Sequence, residues 1–294
     1  DGPVIVRIDE QLGLDKEKYR VLVVLRSDGT ALYATEDLAL AIQKFEDYQL
    51  ESSIYIVDVR QSLHFQQVFK TLEIAGYPWA NRSQHIPYEV VNLPGNVVMA
   101  SRDGTIVLLE LLIEEAVQRA KQTVEEKNPS LSEEQKEAVA DAVGLGALKY
   151  PMLARDNAKI VTFDWQSALD FNGQAAPYIQ YAHVRANSIL RRLEEPLPGS
   201  AVIDHDLEAA EIQLIDTIAR FPTEVQRAAE EYKTLHITNL AFELARDFND
   251  FYKKCPVLKA EPGVSQYRLR LVAATRQTIA NALNLLSIQA PDVM

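Results

Sequence analysis

Ile54-Tyr55-Ile56-Val57-Asp58-Val59, followed at once by Arg60-Gln61-Ser62-Leu63-His64, is the stretch on which the fold turns. A near-continuous apolar run of this length, Ile54–Val59, reads as a strand buried on both faces of a parallel sheet. From Gln61 to Ala75 the pattern changes to helical spacing, with Leu63, Val68, Leu72 and Ala75 inward and Gly76 placed to end the helix. Upstream, Val21–Arg26 and Ala31–Ala34 read as strands across the turn Ser27-Asp28-Gly29-Thr30, where Asp-Gly supplies hairpin geometry. Glu36–Tyr48 reads as a helix with Leu38, Ala41, Ile42 and Phe45 on one stripe, and Tyr88–Leu93 as a further strand. Strand, helix, strand and helix in this order predict a βαβ layout and a doubly wound α/β sheet.

Beyond the loop Pro94–Thr105 and the short apolar run Ile106–Leu109, the pattern becomes mostly helical. Leu111–Val124 is amphipathic, Asn128-Pro129-Ser130 breaks it, and Ser132-x-x-Gln135 resembles a capping box opening the next helix. Pro196-Leu197-Pro198-Gly199 reads as a linker. After it, Leu207–Phe221, Val225–Lys254 and Tyr267–Leu286 carry the 3.6-residue apolar spacing of a helical bundle.

A chain of 294 residues suggests two domains, each able to bury a core. The longest apolar runs are strand-sized, well short of the roughly 18–20 residues a membrane helix requires, which argues against a spanning role. Asp1-Gly2-Pro3 lacks an initiator Met, a basic segment and an apolar segment, so it reads as a start inside a longer chain with no secretory signal. The single cysteine, Cys255, excludes an internal disulfide framework and fits a reducing cytoplasm. Net charge is −12, which taken alone disfavours a polyanion partner. Its distribution is uneven. Phe251–Met294 holds six basic residues against two acidic ones, and Ala176–Leu193 holds Arg185, Arg191 and Arg192 with no acid. A polyanion has somewhere to dock on the C-terminal part.

Standard catalytic signatures are missing: no Walker loop, no G-x-G-x-x-G after a strand, no paired cysteines, no H-E-x-x-H. The histidines are scattered, so no metal site is expected. Three polar groups remain at the carboxyl ends of the predicted strands, where open α/β sheets bind ligands. In Tyr33-Ala34-Thr35-Glu36-Asp37, Tyr33 and Asp37 stand four residues apart and can share a cleft; a carboxylate beneath an aromatic ring suits a guanidinium or ammonium. The same residues also serve as a helix-start acid and a packing tyrosine. In Asp58–His64, Gln61 offers donor and acceptor, and His64 follows one helical turn later. In Val97–Thr105, small residues surround Arg102, as in a mobile loop that approaches phosphates or in an ordinary surface loop.

Taken together these groups resemble arginyl-tRNA synthetases. The stretches carrying the likeness are Tyr33–Ala39 (YATEDLA), Val59–His64 (VRQSLH) and Met99–Thr105 (MASRDGT), then Phe163-Asp164-Trp165 and Phe171–His183 (FNGQAAPYIQYAH). Leu244–Tyr252, Cys255–Leu258, Arg268–Leu271 and Leu286–Pro291 are similar to that family's DALR anticodon-binding bundle and terminus. The resemblance implies a Rossmann-like second half of a class I catalytic domain over residues 1–112, a connecting helical region over 113–175, and an all-α DALR domain over 176–294. It implies ATP-dependent arginylation of tRNA(Arg), with ATP accompanied by Mg2+, L-arginine as substrate, and no tightly bound cofactor. Tyr33, Asp37, Gln61 and His64 match positions that hold the arginine. Residues 98–104 stand in the place of the KMSKS loop, with Ser101 and Arg102 catalytic and Val98, Met99, Ala100 and Gly104 against the nucleotide. Tyr252, Tyr267, Arg268 and Arg276 are the candidates for tRNA contact.

The likeness also implies an upstream half bearing the HIGH motif and a tRNA-elbow domain, so this chain alone is expected to be inactive. Val98 stands where KMSKS has its first lysine and Asp103 where many relatives have another, leaving Arg102 as the loop's cation. Two other possibilities stay open: a non-catalytic tRNA-binding module, and a paralogue that binds another protein through its acidic helices.

Overall fold

The computed structural model describes residues 2–93, 97, 98, 108–193, 197, 203 and 205–294. It divides into two compact units, Asp1–Val90 with Asn157–Lys159, and Val91–Asp156 with Ile160–Met294.

The first unit opens with β1 (Val4–Arg7) and the short helix α1 (Ile8–Gln11), then β2 (Val21–Leu25), α2 (Tyr33–Tyr48), β3 (Ser53–Asp58), a 3-10 turn at Val59–Gln61, α3 (Ser62–Ile74) and β4 (Ser83–Tyr88). β3 and β4 pair in parallel, Ser53 opposite Ser83 through Asp58 opposite Tyr88, with α3 as the crossover. This is the expected βαβ unit. The strand at Tyr88–Leu93 is corrected: β4 ends at Tyr88, and β5 (Val91–Leu93) is a separate strand beyond it. Polar residues and Pro87 hid β4, because proline removes a ladder donor and demotes a segment as a strand candidate.

Ala31–Ala34 is not a strand. Ala31 makes one antiparallel bridge to Leu25, and Tyr33 already begins α2. The partner of β2 is β1, antiparallel, with Arg7 opposite Val21. The Thr35 hydroxyl donates to the Val24 carbonyl, tying the first turn of α2 to β2. Nor is β3 buried on both faces. Tyr55 packs against Phe65 and Phe69 of α3, whereas Ile54 and Ile56 on the other side are exposed. Within α3, Val68 and Leu72 are buried as expected, Ala75 is exposed, and Phe65 is buried in its place. Gly76 follows with φ +87, the left-handed conformation that ends a helix.

In the second unit, β5 pairs antiparallel with β6 (Val97–Val98) and parallel with β7 (Val161–Thr162). The described residues thus form three small sheets rather than one continuous sheet. The rest is helical: α4 (Leu109–Lys127), α5 (Glu133–Leu153), α6 (Trp165–Ala168), α7 (Ala176–Leu190), α8 (Ala209–Ala219), α9 (Phe221–Glu231), α10 (Leu235–Lys254) and α11 (Pro262–Leu285). Leu109 of the Ile106–Leu109 run begins α4, while Ile106 and Val107 lie outside the described residues, as do Pro196, Pro198 and Gly199 of the linker. The capping box at α5 is complete: Gln135 N donates to Ser132 Oγ at 3.2 Å, and Ser132 N to Gln135 Oε1 at 3.1 Å. Val225–Lys254, expected as one helix, is two. The chain breaks at Tyr232, whose φ of 53 is left-handed.

The main core joins α7, α8, α10 and α11 around Ile179, Leu214, Leu244, Phe248, Ile279 and Leu283. α7 also carries a buried polar stripe. Gln180 Nε2 donates to the Gln289 carbonyl at 2.8 Å, His183 Nδ1 to that of Pro291 at 3.0 Å, and Asn187 Nδ2 to that of Asp292 at 2.9 Å. These bonds seat the segment after α11, and burial pushes the His183 imidazole below its ordinary pKa.

Candidate functional site

α2 follows β2 and α3 follows β3, and the two helices pack against each other, so two helix starts lie beyond the carboxyl ends of strands that belong to separate small sheets. Free backbone N–H groups and the positive end of the macrodipole gather at such starts. Into this setting the sequence places four of the expected residues. Tyr33 is the first residue of α2 and is 81% exposed, which is not the burial of a packing tyrosine. Asp37 lies one turn further along the same helix face. Its Oδ2 is 2.6 Å from His64 Nε2 in the first turn of α3. Since a carboxylate only accepts, the His64 ring donates there through Nε2–H. Both side chains are partly open, 31% for Asp37 and 25% for His64. Gln61 closes the 3-10 turn three residues before His64 and is exposed.

Asp58 at the tip of β3 is committed elsewhere. Arg60 grips it through Nε at 2.8 Å and through its terminal nitrogen at 2.7 Å, while the Arg60 amide donates to the same carboxylate at 2.8 Å. Those hydrogen bonds, those of the side chain first, hold the Asp58 carboxyl at about 2. Asp58 is thus paired with its own guanidinium, whereas the Asp37 carboxylate is partly open and meets the His64 ring.

Of the loop residues, Val98 belongs to β6, and Met99, Ala100, Ser101, Arg102 and Gly104 lie outside the described residues. Among the described residues no three His, Cys, Asp or Glu side chains cluster closely enough to hold a metal, and no helix is long and apolar enough to cross a membrane.

On the second unit the four tRNA candidates divide. Tyr252 is exposed on α10. Tyr267 is half-buried, its phenol pushed up by burial, and it lines an open groove of about 440 Å3 with Leu197, Arg270 and Leu271. Arg276 donates to Asn187 Oδ1 at 3.2 Å beside the seated segment. Arg268 is a correction. It is buried, donating from Nε to Glu211 Oε1 at 2.8 Å and from a terminal nitrogen to the Pro256 carbonyl at 2.9 Å, so its charge is spent inside the bundle. The charge count along the sequence could not show this, because Glu211 lies 57 residues away.

Two residues absent from the candidate set stand out. Arg185 lies between the exposed rings of Tyr181 and Tyr252, its guanidinium carbon 4.8 and 5.1 Å from their centroids, and it donates to Asn249 Oδ1 at 2.5 Å. Alternating aromatic and cationic planes at a surface form a stacking platform for nucleobases. The acid-free stretch Ala176–Leu193, with Tyr181 and Arg185 four apart, was the signal for it.

A family profile described as the catalytic domain of class I (R) tRNA synthetases matches residues 1–165. The chain belongs to the class I arginyl-tRNA synthetase family. A second profile, the DALR anticodon binding domain, matches residues 179–294. Among individual synthetases, the arginine–tRNA ligase of Chloroflexus aurantiacus is 37% identical over 297 residues, covering all of this chain and 50% of the relative. That of Bdellovibrio bacteriovorus is 39% identical over 285 residues, covering 96% of the chain and 49% of the relative. The solved Thermus thermophilus arginyl-tRNA synthetase superposes with a TM-score of 0.90 at 32% identity, covering 100% of this chain and 54% of that one. The chain thus spans about half the length of the curated relatives it matches. The fold class is that of the family: the latter part of an α/β class I catalytic domain, followed by a helical DALR domain.

Proposed function

We propose that this chain works as the C-terminal part of a cytoplasmic arginine–tRNA ligase. In the first step the carboxylate of L-arginine attacks the α-phosphorus of Mg2+-bound ATP, forming arginyl-adenylate and releasing pyrophosphate. In the second, a ribose hydroxyl at the tRNA(Arg) 3′ end attacks the adenylate carbonyl and AMP leaves. Tyr33 and Asp37 receive the guanidinium, by cation–π contact and a charge-assisted hydrogen bond. Gln61 and His64 complete that wall. Ser101 and Arg102 are the catalytic residues of the KMSKS-like loop and Val98, Met99, Ala100 and Gly104 bind the nucleotide; a cation directed at the ATP phosphates is worth a few kcal/mol of transition-state stabilisation. Residues 1–112 carry the second half of the catalytic domain, 113–175 connect, and 176–294 dock the anticodon arm.

The observation that carries this reading is the partly open Asp37 carboxylate beside an exposed tyrosine, one turn apart on α2. The chain alone lacks the HIGH-bearing half and is therefore inactive. The test is arginine-dependent ATP–pyrophosphate exchange with tRNA present. The pure chain gives no exchange, and the polypeptide joined to its upstream half does. In the joined protein Asp37→Asn raises the arginine KM by roughly tenfold or more, as expected for losing a charged hydrogen bond. Exchange by the chain alone would refute its inactivity, and an unchanged KM in Asp37→Asn would remove the arginine site.

A second reading, a tRNA-binding module without catalysis, is favoured by one specific feature: the Tyr181–Arg185–Tyr252 stack belongs wholly to the second unit. Tight tRNA binding with no exchange from the joined protein would select it.

A further inference from the structure

We propose that His64 is a positioning residue: it fixes the plane of the Asp37 carboxylate so that one oxygen faces the guanidinium of the substrate. This rests on the reading that Asp37 is the arginine receptor. The two residues are 27 apart in sequence and sit on different helices, so their 2.6 Å contact is made by the packing of α2 against α3. An aspartate this open rotates freely about its side-chain torsions, and ordering it on binding costs entropy. A donor held by a second helix removes that cost beforehand.

The His64 ring is itself held. Its edge meets Phe65 with centroids 5.3 Å apart, and Phe65, buried, stacks on His85 at 4.9 Å. His85 Nε2 in turn lies 3.0 Å from the Val57 carbonyl of β3. The imidazole is thus braced against the central βαβ unit, and through it the carboxylate acquires a fixed direction. Asp37 Oδ2 faces His64, and among the described residues Oδ1 makes no hydrogen bond. A carboxylate fixed in this way distinguishes a planar guanidinium, whose N–H groups have fixed directions, from an ammonium that donates in any orientation.

The joined protein supplies the test, through separate KM values for arginine and ATP and thermal midpoints for each variant. His64→Leu is expected to raise the arginine KM roughly tenfold while the ATP KM and the midpoint stay near those of the parent. His64→Gln, whose amide N–H reaches about as far as Nε2–H, is expected to restore most of the loss. An arginine KM unchanged in His64→Leu overturns the proposal. So does an equal rise in both KM values, or a His64→Gln no better than His64→Leu. Asp37→Asn separates the two levels. If it binds arginine like the parent, the underlying site reading fails; if it loses arginine while His64→Leu does not, only the positioning role fails.

Discussion

Replacing Arg268 by methionine should damage stability far more than any surface cation would. Glu211 is fully buried, and its carboxylate accepts from Arg268 Nε at 2.8 Å, from the Glu208 amide at 2.8 Å, and from His205 at 3.3 Å. Burial alone would raise the Glu211 pKa, but the Arg268 hydrogen bond, then those of Glu208 and His205, bring it below its ordinary value. Arg268→Met leaves that carboxylate without its cation, and breaking a buried pair from one side costs about 3–5 kcal/mol. The second unit has about 200 residues, and for that size each kcal/mol lowers the melting midpoint by roughly 2–4 °C. A fall of roughly 6–20 °C by calorimetry at neutral pH is therefore expected. The double variant Glu211→Leu with Arg268→Met should recover most of it, because no buried charge is then left unpaired. The pH dependence has a definite sign. A carboxyl whose pKa is lower in the folded protein stabilises above its unfolded value, about 4.3, and loses that contribution as pH falls through the folded value. The gap between parent and Arg268→Met should narrow as pH drops from 7 toward 4, where protonating Glu211 relieves the variant. A drop under 2 °C, or a double variant as unstable as the single one, would refute the buried-pair account.

Gly144→Ala should cost about 1–3 kcal/mol by overpacking, since its Cβ would stand 2.8 Å from Val117 Cα and N, where α5 rests on the α4 backbone; an unchanged urea midpoint would contradict that contact. Gly76→Ala meets no atom within 4 Å yet forces a side chain to φ +87, so a smaller loss of about 1 kcal/mol is expected in the same assay. Ser132→Ala, removing the cap on Gln135 N, should cost about 0.5–2 kcal/mol, read as earlier helix loss by circular dichroism. Arg185→Glu should weaken tRNA binding and flatten the slope of log affinity against log salt by about one unit or more, with no change expected in the melting midpoint.

Features encoded within a few residues were legible. The Ser132–Gln135 box, the Gly76 stop, the break at Asn128 and the strand–helix alternation around Ile54–Ala75 follow from local chemistry, and the structure bears them out. What failed depended on partners distant in sequence. Ala31–Ala34 looked like a strand until β1 supplied the partner for β2. β4 was invisible because its pairing with β3, not its composition, makes it a strand. The apolar period runs on through Tyr232, so nothing local announced the break between α9 and α10. For the site, the sequence places Asp37 and His64 at the carboxyl ends of predicted strands, but no spacing rule gives a 2.6 Å contact across two helices. Arg268 is a further case, since the partner that buries its charge, Glu211, lies 57 residues away.

The motif on α7 shows how far a family likeness can be converted into physics. Gln180, His183 and Asn187 recur at three- and four-residue steps, so they share one face, and that face holds the carbonyls of Gln289, Pro291 and Asp292. Tyr181 and Arg185 lie about a third of a turn away; Tyr181 is exposed, as is Tyr252, and the half-buried Arg185 lies between their rings. One fifteen-residue helix therefore presents two distinct polar groups, one holding the segment after α11 and one stacked with Tyr252. The Gln-x-x-His part of the likeness is accounted for by the need to satisfy buried backbone acceptors after α11, a requirement that would hold in a bundle that never met RNA. The Tyr–Arg part makes no contact with that segment; its contacts are the cation–π pairs of Arg185 with Tyr181 and Tyr252 and its hydrogen bond to Asn249. A substitution at Tyr181, Arg185 or Tyr252 should therefore lower tRNA affinity without loosening the segment after α11, whereas one at Gln180 or His183 should loosen that segment first.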